Sequence, residues 1–153
     1  MLENKTALSE VQQKKTEMLQ EGKKVITFSL KQKYFDAILA GRKVQEFREI
    51  RPSTIKRLVQ LDKDGYDIED ENGNAIPIKY DAIHFITGAR NAKHRDSALV
   101  EIESSFVEYI ADKEGNIIEW QADDGAYWQV SQVVYNLGRI LAKTIYPKDK
   151  VTY

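Results

Sequence analysis

Between Gly41 and Pro52 the chain reads GRKVQEFREIRP, a run dense in residues that recognise anions or move protons. If it is a strand, side chains alternate between faces. Val44, Glu46, Arg48 and Ile50 then share one side, and Lys43, Gln45, Phe47 and Glu49 the other. Residues two apart on one face stand ~6–7 Å apart, so Glu46 and Arg48 can converge. Arg48 offers a planar fork of donors suited to a phosphate or a base edge. Glu46 could orient that fork, accept from a base amino group, or act as general base where burial raises its pKa. Lys43 follows a turn, where a bulge would aim it into the same cleft, to meet a phosphate or, if desolvated, to accept a proton. Burying such charges costs several kcal/mol per ion unless they are paired and hydrogen-bonded, so the pattern points to a polar cleft. The plain alternative is an ion pair on an edge strand, worth ~0–1 kcal/mol.

The elements around this run must position it. Upstream, KQKYFDAILAG has helical spacing, with Tyr34, Phe35, Ile38 and Leu39 on one side and Gly41 placed to end the helix. Before it, Ile26, Phe28 and Leu30 alternate with Val25, Thr27 and Ser29, as in a strand. Strand, short helix and strand therefore form one unit. Residues 4–21 are rich in Lys, Gln and Glu with a broken apolar stripe (Leu8, Val11, Met18, Leu19), which predicts an exposed helix ended by Gly22. Downstream, strand-like runs are Tyr66–Glu69, Ile76–Tyr80, Ala82–Thr87, Ala98–Ile110, Asn116–Trp120 and Val130–Tyr146, the last interrupted at Gly138. Asn72-Gly73, Glu114-Gly115 and Asp124-Gly125 mark turns between them. Ser53–Leu61 fits a short helix or a strand equally. No internal repeat or linker stands out. Many short strands with few helices predict an α+β chain built on a closed or nearly closed mixed β-barrel, with peripheral short helices and an N-terminal helix. Residues 1–22 form the helical extension and 23–153 the domain.

Composition narrows the chemistry. The chain has 153 residues, enough for one core without staples. There are no cysteines, which excludes disulfides and thiolate sites and fits a reducing compartment. No apolar run approaches the ~20 residues of a membrane helix, and the polar N-terminus does not read as a secretory signal, so a cytoplasmic protein without membrane contact is expected. Net charge is −1, but the charges are segregated. Residues 23–57 hold 10 cations and 3 anions, whereas 101–124 hold 8 acids and one Lys, and 62–71 hold 6 acids and one Lys. A basic region of this kind would focus an anionic ligand, unless the blocks interleave in space and their fields cancel.

The run FSLKQKYFDAILAGRKVQEFREIRP resembles the N-terminal signature of the ASCH domain family, whose Gly-x-Lys-x-x-Glu-x-Arg pattern is matched by Gly41, Lys43, Glu46 and Arg48. About 30 residues carry the likeness strongly, and AIHFITGAR and VVYNLGRILAKTI extend it weakly over most of 24–146. The resemblance implies a PUA-like barrel with a cleft lined by Lys43, Glu46 and Arg48, in a superfamily associated with RNA. It implies an RNA, nucleotide or nucleoside partner. One bacterial subgroup hydrolyses N4-acetylcytidine with the Lys activating a Thr three residues later. That Thr position holds Glu46 here, which puts the same amidohydrolysis in doubt. Other relatives are reported as ribonucleases.

The expected function is therefore RNA or nucleotide binding in a charged cleft. The alternatives are a hydrolase acting on a modified nucleoside or an RNA phosphodiester, with Lys43 and Glu46 catalytic, and a protein-interaction module using the N-terminal helix and acidic hairpins. Lys31 and Lys33, with Arg90, Lys93 and Arg95 of the loop TGARNAKHRD, are further candidates for phosphate contacts. Trp120, Tyr127 and Trp128 could stack on bases, although Asp123 and Asp124 beside them favour a packing role. His84, in an alternating strand, reads as a structural histidine. Two histidines and no cysteine give no metal site of credible spacing, and no cofactor is expected.

Overall fold

The computed structural model describes residues 8–88 and 93–147. In chain order its elements are α1 (Glu10–Gln20), β1 (Val25–Leu30), α2 (Gln32–Leu39), β2 (Gln45–Glu49), α3 (Ile55–Leu58), β3 (Ala82–Thr87), β4 (Ser97–Tyr109), β5 (Glu119–Gln121), β6 (Tyr127–Gln129) and β7 (Ser131–Thr144). This is an α+β chain. The larger sheet is mixed, in the order β1-β3-β4-β7-β2, and β5-β6 form a second sheet. The expected closed barrel is not seen: strand order is linear, and among the described residues no ladder joins β1 to β2. The reason lies in the segments expected to supply the missing strands. Residues 59–77 and 111–117 turn so often that they make only isolated bridges, such as Val59 with Pro77 and Ala111 with Ile117.

The chain divides into two compact units. The first comprises Met1–Val44, Tyr80–Ile102 and Leu137–Tyr153. In it β1 runs parallel to β3, from Val25 opposite Ala82 to Leu30 opposite Thr87, and β3 is antiparallel to the start of β4. Ile26 and Phe28 are buried as their alternation requires. Helix α1 docks by a narrow stripe: Val11 and Met18 join Ala82, Leu99 and Ala142 in one apolar cluster, while Leu8 and Leu19 stay exposed. Ser9 caps its N-terminus through its hydroxyl. Helix α2 buries Phe35 and Ile38 and leaves Tyr34 outside. Both helices end alike. Lys23 N–H donates to Met18 and Gly22 N–H to Leu19; Arg42 N–H donates to Ala37 and Gly41 N–H to Ile38. These are Schellman closures, and they require the positive φ that Gly22 (82°) and Gly41 (77°) adopt.

The second unit comprises Gln45–Lys79 and Glu103–Asn136. Here β2 pairs antiparallel with the first half of β7, Glu46 opposite Tyr135 and Arg48 opposite Val133. The ambiguous run after Ser53 resolves as the one-turn helix α3. β7 passes through Gly138 without the interruption the sequence implied.

An internal repeat, unnoticed in the sequence, is visible in this unit. Residues 60–69 (QLDKDGYDIE) and 110–119 (IADKEGNIIE) share Asp, Lys, Gly, Ile and Glu in register. Asp62 Oδ1 accepts from Asp64 N–H (2.8 Å) and Tyr66 N–H (3.0 Å), and Asp112 Oδ1 from Glu114 N–H (3.0 Å) and Asn116 N–H (2.9 Å). Each arm then closes a triangle of backbone hydrogen bonds. Ile68 N–H donates to Gln60, Ile76 to Ile68 and Gln60 to Ile76; Ile118 donates to Ile110, Val130 to Ile118 and Ile110 to Val130.

Candidate functional site

Lys43 follows directly from the α2 closure, its N–H donating to Ala37 (3.1 Å). Its side chain is half-buried, with Nζ 6.0 Å from the Tyr34 ring centre, while Lys33 Nζ lies 4.9 Å from the same ring. Beside Lys43 a cavity of about 290 Å³ opens within the first unit. Ile38, Val100 and Leu137 give it an apolar floor, Gly138 lines its wall, and Lys43 and Arg139 supply two cations. Arg139 is exposed and is steadied by Glu101, Nη2 to Oε2 at 3.3 Å. The Arg139 contacts hold the Glu101 carboxyl below its usual range. Sequence reading missed Arg139. The one available signal was its place after Gly138 in a strand, where a missing side chain opens space beside a cation.

Glu46 and Arg48 belong to the second unit, and the alternation placed them correctly. Glu46 is only 4% exposed. Arg48 donates to Glu46 Oε2 through Nη2 (2.7 Å) and Nε (3.0 Å), its side chain 28% exposed. Strand β2 does end the sheet, yet this is no solvated ion pair: the carboxylate is inside, opposite the buried Tyr135. Ile50 is buried as expected, but Val44 is exposed, because β2 begins only at Gln45.

The remaining candidates scatter. Lys31, exposed, occupies the N-cap position of α2 beside a shallow cavity that also touches Ser29, Gln32 and Gly88. Arg90 lies outside the described residues. Lys93 is exposed. Arg95 turns inward, donating to the carbonyls of Thr87 (2.8 Å) and Gly88 (3.3 Å). Buried Asp96 locks the same corner by accepting from Gln32 Nε2 (3.1 Å) and Tyr146 N–H (2.9 Å). Trp120 and Trp128 face each other across β5 and β6, ring centres 6.3 Å apart and nearly parallel, both half-buried.

His84 is buried, and its Nδ1 lies 3.1 Å from Lys15 Nζ, which also donates to Thr27 Oγ1 (3.3 Å). With Lys15 as donor, Nδ1 is the acceptor and the ring proton resides on Nε2. Burial, then the charges of Lys15 and Arg95, push the His84 pKa down to about 4. Burial also lowers that of Lys15. Among the described residues, no group of three His, Asp or Glu could hold a metal ion, and no helix is long and apolar enough to cross a membrane.

Charge sorts by unit. The first unit carries 16 Lys and Arg against 9 Asp and Glu, the second 7 against 15. The basic segment 23–57 is thus divided after Val44, and its Lys23–Lys43 part joins the cationic unit. Comparison with known protein families, curated proteins and solved structures finds no match to this chain.

Proposed function

We propose that this chain is an RNA- or nucleotide-binding domain of ASCH type, PUA-like in its fold, with the ligand held on the first unit. The observation that supports this best is the Lys43–Arg139 cavity on a unit of net charge +7. Its apolar floor suits the face of a base or sugar, and its two cations suit a phosphate at the rim. The Glu46–Arg48 pair acts as a rigid polar strut within β2 rather than as a proton shuttle, since two Arg48 N–H groups already occupy one carboxylate oxygen. The amidohydrolase alternative finds no hydroxyl at position 46.

Binding of a labelled single-stranded RNA, followed by anisotropy, should weaken steeply as salt rises from ~50 to ~200 mM, with a log–log slope of about −0.7 per phosphate contacted. Lys43→Ala should reduce both affinity and slope. Affinity indifferent to salt and to Lys43→Ala would refute the reading.

A further inference from the structure

The second unit presents, at its hairpin tips, a chemical likeness of what the first unit's cavity would take. Tyr66 is 72% exposed and stands between Asp64 and Asp67 in sequence. Its hairpin is rigid: Asp62 Oδ1 holds the N–H groups of Asp64 and Tyr66, and Asp62 N–H donates to the Tyr66 carbonyl (2.8 Å). An aromatic ring flanked by carboxylates offers a flat apolar face beside negative charge, as a nucleotide does. A preorganised loop loses little freedom on docking. Tyr127 is equally exposed, but it lies within the β6 ladder beside Trp128, and its acids, Asp123 and Asp124, stand on one side of it only in sequence.

We propose that the Tyr66 hairpin of one molecule docks into the Lys43–Arg139 cavity of a second copy, in competition with RNA. Both halves of the contact are on this chain: the cavity belongs to a unit of net charge +7 and the hairpin to one of net charge −8. Tyr66 is the anchor on the apolar floor, and Asp64 and Asp67 meet Lys43 and Arg139. The contact is heterologous, a hairpin of one copy against a cavity of the other. One hairpin tip covers less area than a stable interface, so association is weak and salt-sensitive. The inference rests on the cavity proposed above as the nucleotide site. It adds a regulation: crowded, RNA-free molecules occupy one another's sites, and RNA releases them.

Sedimentation velocity of the full chain tests this, at ~20 mM and ~500 mM salt over a ~100-fold concentration range. At low salt the average mass should rise with concentration; at high salt the chain should be monomeric. Tyr66→Ser and Lys43→Ala should each abolish association, and an equimolar mixture of the two should give dimers and nothing larger, since each variant retains one intact half. Single-stranded RNA should return the wild type to monomers. A monomer at every concentration in low salt overturns the proposal, and so does association undiminished in Tyr66→Ser. Anisotropy with the same RNA separates the two readings. RNA bound by a chain that never associates removes self-docking alone, whereas association without RNA binding removes the nucleotide reading and, with it, the competition, leaving only the self-contact.

Discussion

At the scale of single residues, the buried charges carry the sharpest expectations. Removing Arg48 takes two charge-assisted hydrogen bonds from the buried Glu46 carboxylate, so Arg48→Ala should cost about 3 kcal/mol. Replacing both partners, Glu46→Leu with Arg48→Met, should recover most of that loss in urea unfolding, because the desolvation of two ions is removed along with their attraction. His84 sets a pH dependence. Its folded pKa of about 4 lies below the ordinary 6.5, so in that window the unfolded chain binds a proton that the folded one refuses. Stability therefore falls as pH drops from 6.5 towards 4, by as much as about 3 kcal/mol from this group. Asn at this position keeps an acceptor for Lys15 but cannot titrate. Wild type should accordingly lose more stability than His84→Asn between pH 7 and pH 4, with the unfolding midpoints in urea as the readout. The alternation of the 44–50 run made the Glu46–Arg48 pair legible in sequence. Nothing local revealed the Lys15–His84 contact, which joins a helix to a strand 69 residues away.

Among the elements, legibility followed the range of the interactions. The β1–α2–β2 order, the α2 stop at Gly41 and the burial of Ile26 and Phe28 follow from spacing and turn chemistry within a few residues. Extent was less readable: α1 begins at Glu10 after its Ser9 cap, residues 4–7 of the expected helix lying outside the described residues, and the strands expected at 66–69 and 76–80 are reduced to bridges. There the Asp-led hairpins dominate, since an Asp side chain that binds two N–H groups ends a strand whatever its β-propensity. For this reason no ladder closes the larger sheet into a barrel among the described residues. Asp62→Ala and Asp112→Ala should each cost about 1 kcal/mol, as equivalent positions of a repeat, whereas exposed Asp123→Ala should stay within about 0.5 kcal/mol. Gly41→Ala is open sterically but forces φ 77° on an L residue, so about 1–2 kcal/mol should be lost. Thermal unfolding of these variants gives the comparison.

For the whole molecule, the net charge of −1 conceals a division that block counting only partly anticipated. The basic stretch straddles both units, so sequence order alone could not assign Arg48, Arg51, Lys56 and Arg57 to the acidic one. Likewise Arg139 and Lys43, 96 positions apart, meet at one cavity only because Leu137 N–H pairs with the Val44 carbonyl (2.9 Å) and draws β7 beside the end of the α2 turn. The proposed nucleotide binding depends on that convergence. It is tested most directly by titrating a nucleoside monophosphate into the 15N-labelled chain and mapping the amide shifts. The account predicts saturable changes centred on Ile38, Gly41, Lys43, Gly138 and Arg139, lost in Lys43→Ala. Shifts centred on the 62–71 and 112–125 hairpins, or none at millimolar ligand, would contradict it.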